Sequence, residues 1–410
     1  MKQFNVPIYY NSKIIDGVRK IREKYDPRKK DITPSIIKID TLTLYIGRHF
    51  GFCYGVKNAI EICYEAIRNY PNKKIYLLSQ MIHNQMVNQD LKENGISFIM
   101  DTHGAQLIPW KKIKKDDIVI IPAFGTSLEV LDILNKKGIQ TKQFDTTCPF
   151  VSKVWNRAEK ISSNGHTIII YGAANHEETR STFSRAKKNG PAIIVENMKD
   201  VHFLCQVINK KHSVTEFDKK FHNKMSPGFN MEKDLVKIGV VNQTTMLASD
   251  TKKIIETFTL TFNKIYGKAN IMNHIANTRD TLCYATNENQ DSTLNLLKQN
   301  VDMAIVVGGY NSSNTTHLAE LTSKKTNTFF INSSKNISLD NKILHFDIKT
   351  KKQIETINFL PKKKCKIILT SGASCPDIIL EKIILRLMDI HKIKPNYNDI
   401  LDKVEKQYTN

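Results

Sequence analysis

From about residue 43 onward, short β-rich runs alternate with helical stretches, and the alternation restarts twice, each time just after one particular cysteine. Residues 42–46, 74–78, 117–121 and 167–171 have the β-branched, continuous apolar character of buried strands; 56–69, 128–137 and 151–163 carry helical periodicity. This alternation predicts an α/β fold with parallel sheets, because parallel neighbours must be joined by a crossover, usually a helix. The scheme resumes after Cys148 with strands near 192–195 and 235–241, and after Cys283 with strands near 303–307, 327–331 and 366–369. Three α/β domains are expected: 42–147 with Cys53, 148–278 with Cys148, and 279–392 with Cys283. A polar stretch at about 210–232, around Pro227-Gly228, reads as a surface insertion; 1–41 reads as an N-terminal extension and 393–410 as a C-terminal tail. A length of 410 residues accommodates two to three domains.

Each of the three cysteines stands where an extended segment gives way to a helix: Gly51-Phe52-Cys53-Tyr54-Gly55-Val56, Asp145-Thr146-Thr147-Cys148-Pro149 and Thr281-Leu282-Cys283-Tyr284. Three thiolates on a four-iron cluster would leave one iron without a protein ligand, where a substrate oxygen can bind. Pro149 suits the first position of a helix, which puts the Cys148 thiol at a helix N-terminus whose dipole favours thiolate. The bland alternative for each is a small buried cysteine filling a strand-to-helix corner. Ser374-Cys375-Pro376 repeats the pattern, so local chemistry leaves Cys375 open as a ligand, whereas Cys63, Cys205 and Cys365 look structural. The 7 cysteines are widely spaced and include no CxxC pair, which argues against a disulfide framework and for a reducing compartment, with cytoplasm as the expectation. No apolar run approaches the ~18 residues of a membrane span, and the first forty residues lack a signal or transit pattern.

Lys plus Arg number 61 against 40 Asp plus Glu, a formal charge of +21. The lysines are scattered among Asn and Ile, and no basic helix interleaved with aromatics appears, so the charge reads as solvated surface rather than a nucleic-acid footprint. Attraction to an acidic small molecule or protein remains open.

Polar residues gather beyond strand ends. In Asn175-His176-Glu177-Glu178, the Glu178 carboxyl could relay protons; equally, Asn175 with Glu178 three residues on is a capping box. His83 in Ile82-His83-Asn84 follows a strand and, alone, reads as a structural histidine; the same holds for His49. Gly308-Gly309-Tyr310-Asn311-Ser312-Ser313-Asn314, Thr370-Ser371-Gly372-Ala373-Ser374 and Gln243-Thr244-Thr245 present hydroxyls, amides and free N–H groups at helix starts. Each could be an ordinary cap; together they imply a phosphate-bearing ligand. Neither GxGxxG nor a P-loop occurs, so a nucleotide is not indicated.

These motifs, in this order and from about Thr43 to about Leu387, resemble the 4-hydroxy-3-methylbut-2-enyl diphosphate reductase family. The resemblance implies a trefoil of three α/β domains around a central iron-sulfur cluster. It implies one 4Fe-4S cluster held by Cys53, Cys148 and Cys283 with a substrate-accessible fourth iron, and it assigns no ligand role to Cys375. It implies that His83, His176, Thr245, Ser312, Ser313, Asn314 and Ser374 bind the substrate, that Thr244 contacts its hydroxyl and that Glu178 delivers the proton. The implied reaction is two-electron reductive dehydroxylation of an allylic diphosphate to isopentenyl and dimethylallyl diphosphates, the last step of the non-mevalonate pathway. One departure stands out. Where many members carry Ala-His-Gly, this chain reads Ala123-Phe124-Gly125, a form similar to the plant and cyanobacterial subgroup, as are the Asn-His-Glu-Glu-Thr segment and the 210–232 insertion. That likeness raises ferredoxin as electron donor, within an expectation of a donor such as ferredoxin or flavodoxin with its reductase; the charge pattern and the apolar runs lead us to expect no nucleic acid and no membrane as partner.

Three competing readings differ in what they need. A zinc hydrolase would use Cys53, His83, Cys148 and His176; a quinolinate-synthase-like dehydratase also uses three cysteines; a basic RNA-binding protein would need no cluster.

Overall fold

A computed structural model describes residues 4–277 and 281–409, and the expected boundary at 278/279 lies outside the described residues. The chain divides into two compact units, one of 1–57, 82–89 and 284–410, the other of 58–81 and 90–283.

The first unit is built on a five-stranded sheet in the order Ser35–Ile39, Leu42–Ile46, Cys365–Ser371, Met303–Val307, Asn327–Ile331. The first pair is an antiparallel hairpin; every other neighbour is parallel. The strand Leu42–Ile46, which covalent order groups with the segment that follows it, is thus hydrogen-bonded to Cys365–Ser371 from the far end of the chain. Its Leu42, Leu44 and Ile46 are fully buried together with Ile367 and Leu369. A partner strand rich in Ile and Leu is what such a run requires, and sequence distance does not enter.

Both chain ends belong to this core. The helix Lys13–Tyr25 buries Ile14, Ile15 and Val18, and the helix Tyr397–Thr409 buries Ile400 and Val404 in the same cluster. Gly17 permits the contact: a Cβ there would lie 2.5 Å from Leu401 Cδ2. Arg22, 2% exposed, donates to the Thr33 carbonyl at 3.1 Å and to Tyr408 Oη at 2.8 Å. The ends therefore fold as an amphipathic helix pair rather than as appendages.

The second unit contains two small all-parallel sheets. One has Ile75–Leu77 between Ile96–Phe98 and Ile118–Ile120; the other has Thr167–Tyr171 between Ala192–Val195 and Ile238–Asn242. Helices Leu128–Lys136, Pro149–Ser163, Glu177–Asn189 and Ala248–Tyr266 supply the crossovers and faces. Within 210–232 the structure forms the helix Val214–Phe221, capped by Ser213 and Glu216, and it buries Phe217 and Phe221 among Val201, Leu204 and Phe258. The stretch is polar on one face only; its i, i+4 phenylalanine pair is the signal that composition conceals. Among the described residues no helix is long and apolar enough to cross a membrane.

Candidate active site

The three marked cysteines share one local geometry. The Cys53 N–H donates to the Ala373 carbonyl at 3.2 Å, Cys148 N–H to Ala123 at 2.9 Å, and Cys283 N–H to Thr244 at 3.1 Å. Ala373, Ala123 and Thr244 each lie two or three residues beyond the end of a parallel strand, Cys365–Ser371, Ile118–Ile120 and Ile238–Asn242 respectively. Each cysteine is thus tied by its backbone N–H beyond the carboxyl end of a parallel-paired strand in a different sheet, where open α/β sheets present their ligand sites. Pro149 opens a helix with Cys148 as its N-cap, and a helix starts at Tyr54 after Cys53 and at Tyr284 after Cys283.

Burial raises several of the thiols, the marked Cys53 among them. Burial pushes the Cys53 thiol up, but the backbone N–H groups of Val56 and Gly55 pull it back toward thiolate. Cys375 is wholly buried and its thiol is driven up by burial and by the neighbouring Asp377 carboxylate. Cys63 is likewise raised by burial, and Cys365 is pushed up to about 12 by burial first and then by Asp302.

In the first unit, polar groups collect around one carbonyl. His83 O accepts the Ser374 hydroxyl at 3.3 Å, and a Cβ on Gly309 would lie 2.2 Å from that same oxygen, so only glycine lets the loop after Met303–Val307 approach. Asn84 Oδ1 accepts the Val87 N–H at 3.2 Å, starting the helix Gln85–Glu93, and Asn88 Nδ2 donates to Ile82 O at 2.7 Å. Ser312 caps the helix Ser313–Ser323. Asn314 Oδ1 accepts the Ala373 N–H at 3.3 Å, and its Nδ2 donates to Thr286 Oγ1 at 3.3 Å. His83, Ser312, Asn314 and Ser374 are all buried, and Ser313 is half-buried. Thr315 escaped the sequence reading: its hydroxyl sits 2.0 Å from where a Gly372 Cβ would be and 2.4 Å from a Gly308 Cβ, and it donates to Ser312 Oγ at 3.0 Å. The glycines flanking it were the available signal.

In the second unit, Glu178 is the centre. It is 1% exposed; Oε1 accepts the Thr244 N–H at 2.6 Å and Oε2 accepts the Thr244 hydroxyl at 2.9 Å. Burial raises its pKa to about 7, against the opposing pull of the two Thr244 hydrogen bonds. The capping-box alternative fails here. The N-cap is His176 rather than Asn175, with Nδ1 accepting the Glu178 N–H at 3.1 Å, and the Glu178 carboxyl is committed to Thr244. Gln243 braces the same loops: Oε1 accepts from Ala173 N and Thr179 Oγ1, both at 3.2 Å, and Nε2 donates to Thr245 Oγ1 at 2.7 Å.

Phe124 finds its place beside His176. The rings meet edge to face at 5.3 Å, and the Phe124 carbonyl accepts the Ser181 hydroxyl at 3.0 Å.

The profile described as LytB protein matches residues 44–388. The chain belongs to the LytB family. Curated LytB relatives include the 4-hydroxy-3-methylbut-2-enyl diphosphate reductase of Crocosphaera subtropica, 40% identical over 375 residues, covering 91% of this chain and 88% of that one. The reductase of the same name from Gloeothece citriformis is 39% identical over 350 residues, covering 85% of each chain. Among solved structures, a reductase of this kind, described as the terminal enzyme of the non-mevalonate pathway, aligns with a TM-score of 0.50 at 25% identity, covering 84% of this chain and 98% of that one. The Plasmodium falciparum enzyme has the same fold, with a TM-score of 0.62 at 24% identity over 89% of this chain and 98% of its own.

Proposed function

We propose that this LytB protein is a 4-hydroxy-3-methylbut-2-enyl diphosphate reductase acting at the last step of the non-mevalonate route to isoprenoid precursors. The observation that carries the reading is the pairing of Glu178 with Thr244 beside Cys283, whose N–H is bound by the Thr244 carbonyl. Thr244 thereby ties a proton-bearing carboxyl to a metal-ligand candidate through one residue.

The family is iron-sulfur dependent, and the residues here fit such a group: three free cysteines whose backbone N–H groups are bound in the same way at three sheet edges, two of them partly exposed. Cys53, Cys148 and Cys283 would hold a 4Fe-4S cluster, with one iron left for substrate. When bound, the cluster supplies two electrons, one at a time, and a Lewis acid for C–O cleavage. The chain's own residues do the rest. Ser312, Ser313 and Asn314 at a helix N-terminus, with His83, Ser374, His176 and Thr245, hold the diphosphate and orient the allylic carbon. Thr244 donates to or accepts from the substrate hydroxyl, and Glu178 passes a proton through it, so that hydroxide leaves as water. In balance, each substrate molecule with two electrons and two protons gives one water and one molecule of either isopentenyl or dimethylallyl diphosphate.

The electrons come from an acidic one-electron carrier of the ferredoxin or flavodoxin class. Within the first unit an open cavity of about 300 Å³ reaches Cys53, and Arg19, Lys29, Arg48 and Lys57 line it, with Glu23 and Glu288 its acidic members.

The test is anaerobic purification, iron and sulfide assay, and turnover of the allylic diphosphate with a reduced one-electron donor. Cluster-replete protein that gives no isopentenyl or dimethylallyl diphosphate, or protein that holds zinc without sulfide, would overturn the reading. Cys283→Ser should purify with its cluster lost or damaged; unchanged iron and sulfide content would remove Cys283 from the ligands.

A further inference from the structure

Residues 4–25 precede the region that the family profile covers, yet they touch both sides of Cys53. Phe4 packs edge-on against Tyr54, with centroids 4.9 Å apart, and Tyr10 packs edge-on against Phe52 at 5.8 Å. Tyr10 is 2% exposed, so this contact is part of the packed interior. Between them, Arg19 reaches from the helix Lys13–Tyr25 to the turn itself. Its Nη2 donates to the Phe50 carbonyl at 3.0 Å and to Asp377 Oδ1 at 2.9 Å; its Nη1 donates to Asp377 Oδ2. The guanidinium also lies 4.7 Å from the centre of the Phe50 ring.

The chain between Phe50 and Cys53 turns on Gly51, which has φ +74°. A Cβ at Gly51 would meet Asp377 Oδ1 at 2.6 Å and Arg19 Nη2 at 2.9 Å, so the Arg19–Asp377 pair is pressed against the turn's backbone. Asp377 is the first residue of the helix Asp377–Ile390, and Ala373, four residues before it, accepts the Cys53 N–H. The arginine therefore bridges the two backbone segments that fix Cys53. Its own helix is anchored independently: Ser12 caps it, and the Ile14 N–H is bound by Glu381 at 3.1 Å.

We propose that Arg19 is a positioning residue for the cluster, clamping the Phe50–Cys53 turn so that the N-terminal helix governs how firmly the Cys53 thiolate is held. A planar fork that satisfies a carboxylate and a carbonyl together is a task for arginine; lysine can keep the charge pair but not the whole fork. The proposal rests on Cys53 being a ligand, and the experiment separates the two claims.

Anaerobically reconstituted parent, Arg19→Ala, Arg19→Lys, Lys24→Ala and Cys53→Ser are compared for iron content, rate of iron release to a chelator, reduction potential of the cluster and thermal unfolding. Lys24 lies on the same helix but pairs with exposed Glu405 at 2.7 Å, away from the turn. Arg19→Ala is expected to release iron on the order of tenfold faster than the parent, with Arg19→Lys in between and Lys24→Ala at the parental rate. Cys53→Ser retaining parental iron would dismiss the ligand reading itself. Cys53→Ser losing iron while Arg19→Lys and any folded Arg19→Ala release it at the parental rate with an unchanged potential would overturn the clamp. If Arg19→Ala does not fold, Arg19→Lys decides alone.

Discussion

Glu178 concentrates the chemistry of a single residue. At 1% exposure a lone carboxyl would resist ionisation strongly, and the Thr244 N–H and hydroxyl leave it near neutrality, at about 7. A donor poised there is protonated often enough to give its proton and basic enough to regain it. Turnover should fall as pH rises above about 7. Glu178→Gln should lower kcat on the order of 10²-fold or more, with KM little changed and that limb of the pH profile gone. A near-normal kcat would take Glu178 off the proton path. The same shift has a stability consequence of definite sign. The folded state holds the proton from the unfolded value, 4.5, up to about 7, so its contribution is full below 4.5 and is lost as pH climbs through 7. Thermal unfolding of Glu178→Gln should therefore gain on the parent between pH 5 and pH 8. Residue types at this site were legible because strand ends followed by small polar residues advertise caps and ligands. Which atom meets which was not. Asn175 and His176 both satisfy cap chemistry, and only the backbone path selects His176.

At the scale of elements, sequence pattern finds what is continuously apolar and undervalues what is apolar on one face. The strands Leu42–Ile46, Thr167–Tyr171, Met303–Val307 and Asn327–Ile331 stand where their β-branched and aromatic runs place them. In sequence the helices Lys13–Tyr25, Val214–Phe221 and Tyr397–Thr409 read as extension, insertion and tail because lysines and acids dominate their local composition. Their buried faces carry real packing energy. Phe217 is 1% exposed and stacks on Phe229 at 5.7 Å, so Phe217→Ala should cost about 3–5 kcal/mol in urea unfolding. A cost under about 1 kcal/mol would return this helix to the status of a surface insertion. Sheet membership was the other thing hidden. Leu42–Ile46 pairs with Cys365–Ser371 across more than three hundred residues, and a periodicity of two says nothing about which strand answers it.

For the whole molecule the relevant quantity is the field of a chain carrying +21. Scattered lysines make poor specific contacts, but their sum attracts any acidic partner over a Debye length of about 10 Å at 0.1 M salt. An acidic ferredoxin-class carrier and a cationic dye should therefore respond to salt in opposite directions. Raising ionic strength from 20 to 200 mM should slow turnover driven by the protein donor, because steering that enhances encounter is screened; the order of magnitude is tenfold in kcat/KM for the donor. With a reduced viologen, a cation, the same change should leave the rate unaltered or raise it, because a repulsion is being screened. The pairing of donors removes the ambiguity that salt also weakens diphosphate binding, since that effect is common to both and vanishes at saturating substrate. Parallel salt curves for the two donors at saturating substrate would mean that the net charge serves solubility alone and that donor choice rests on local contacts.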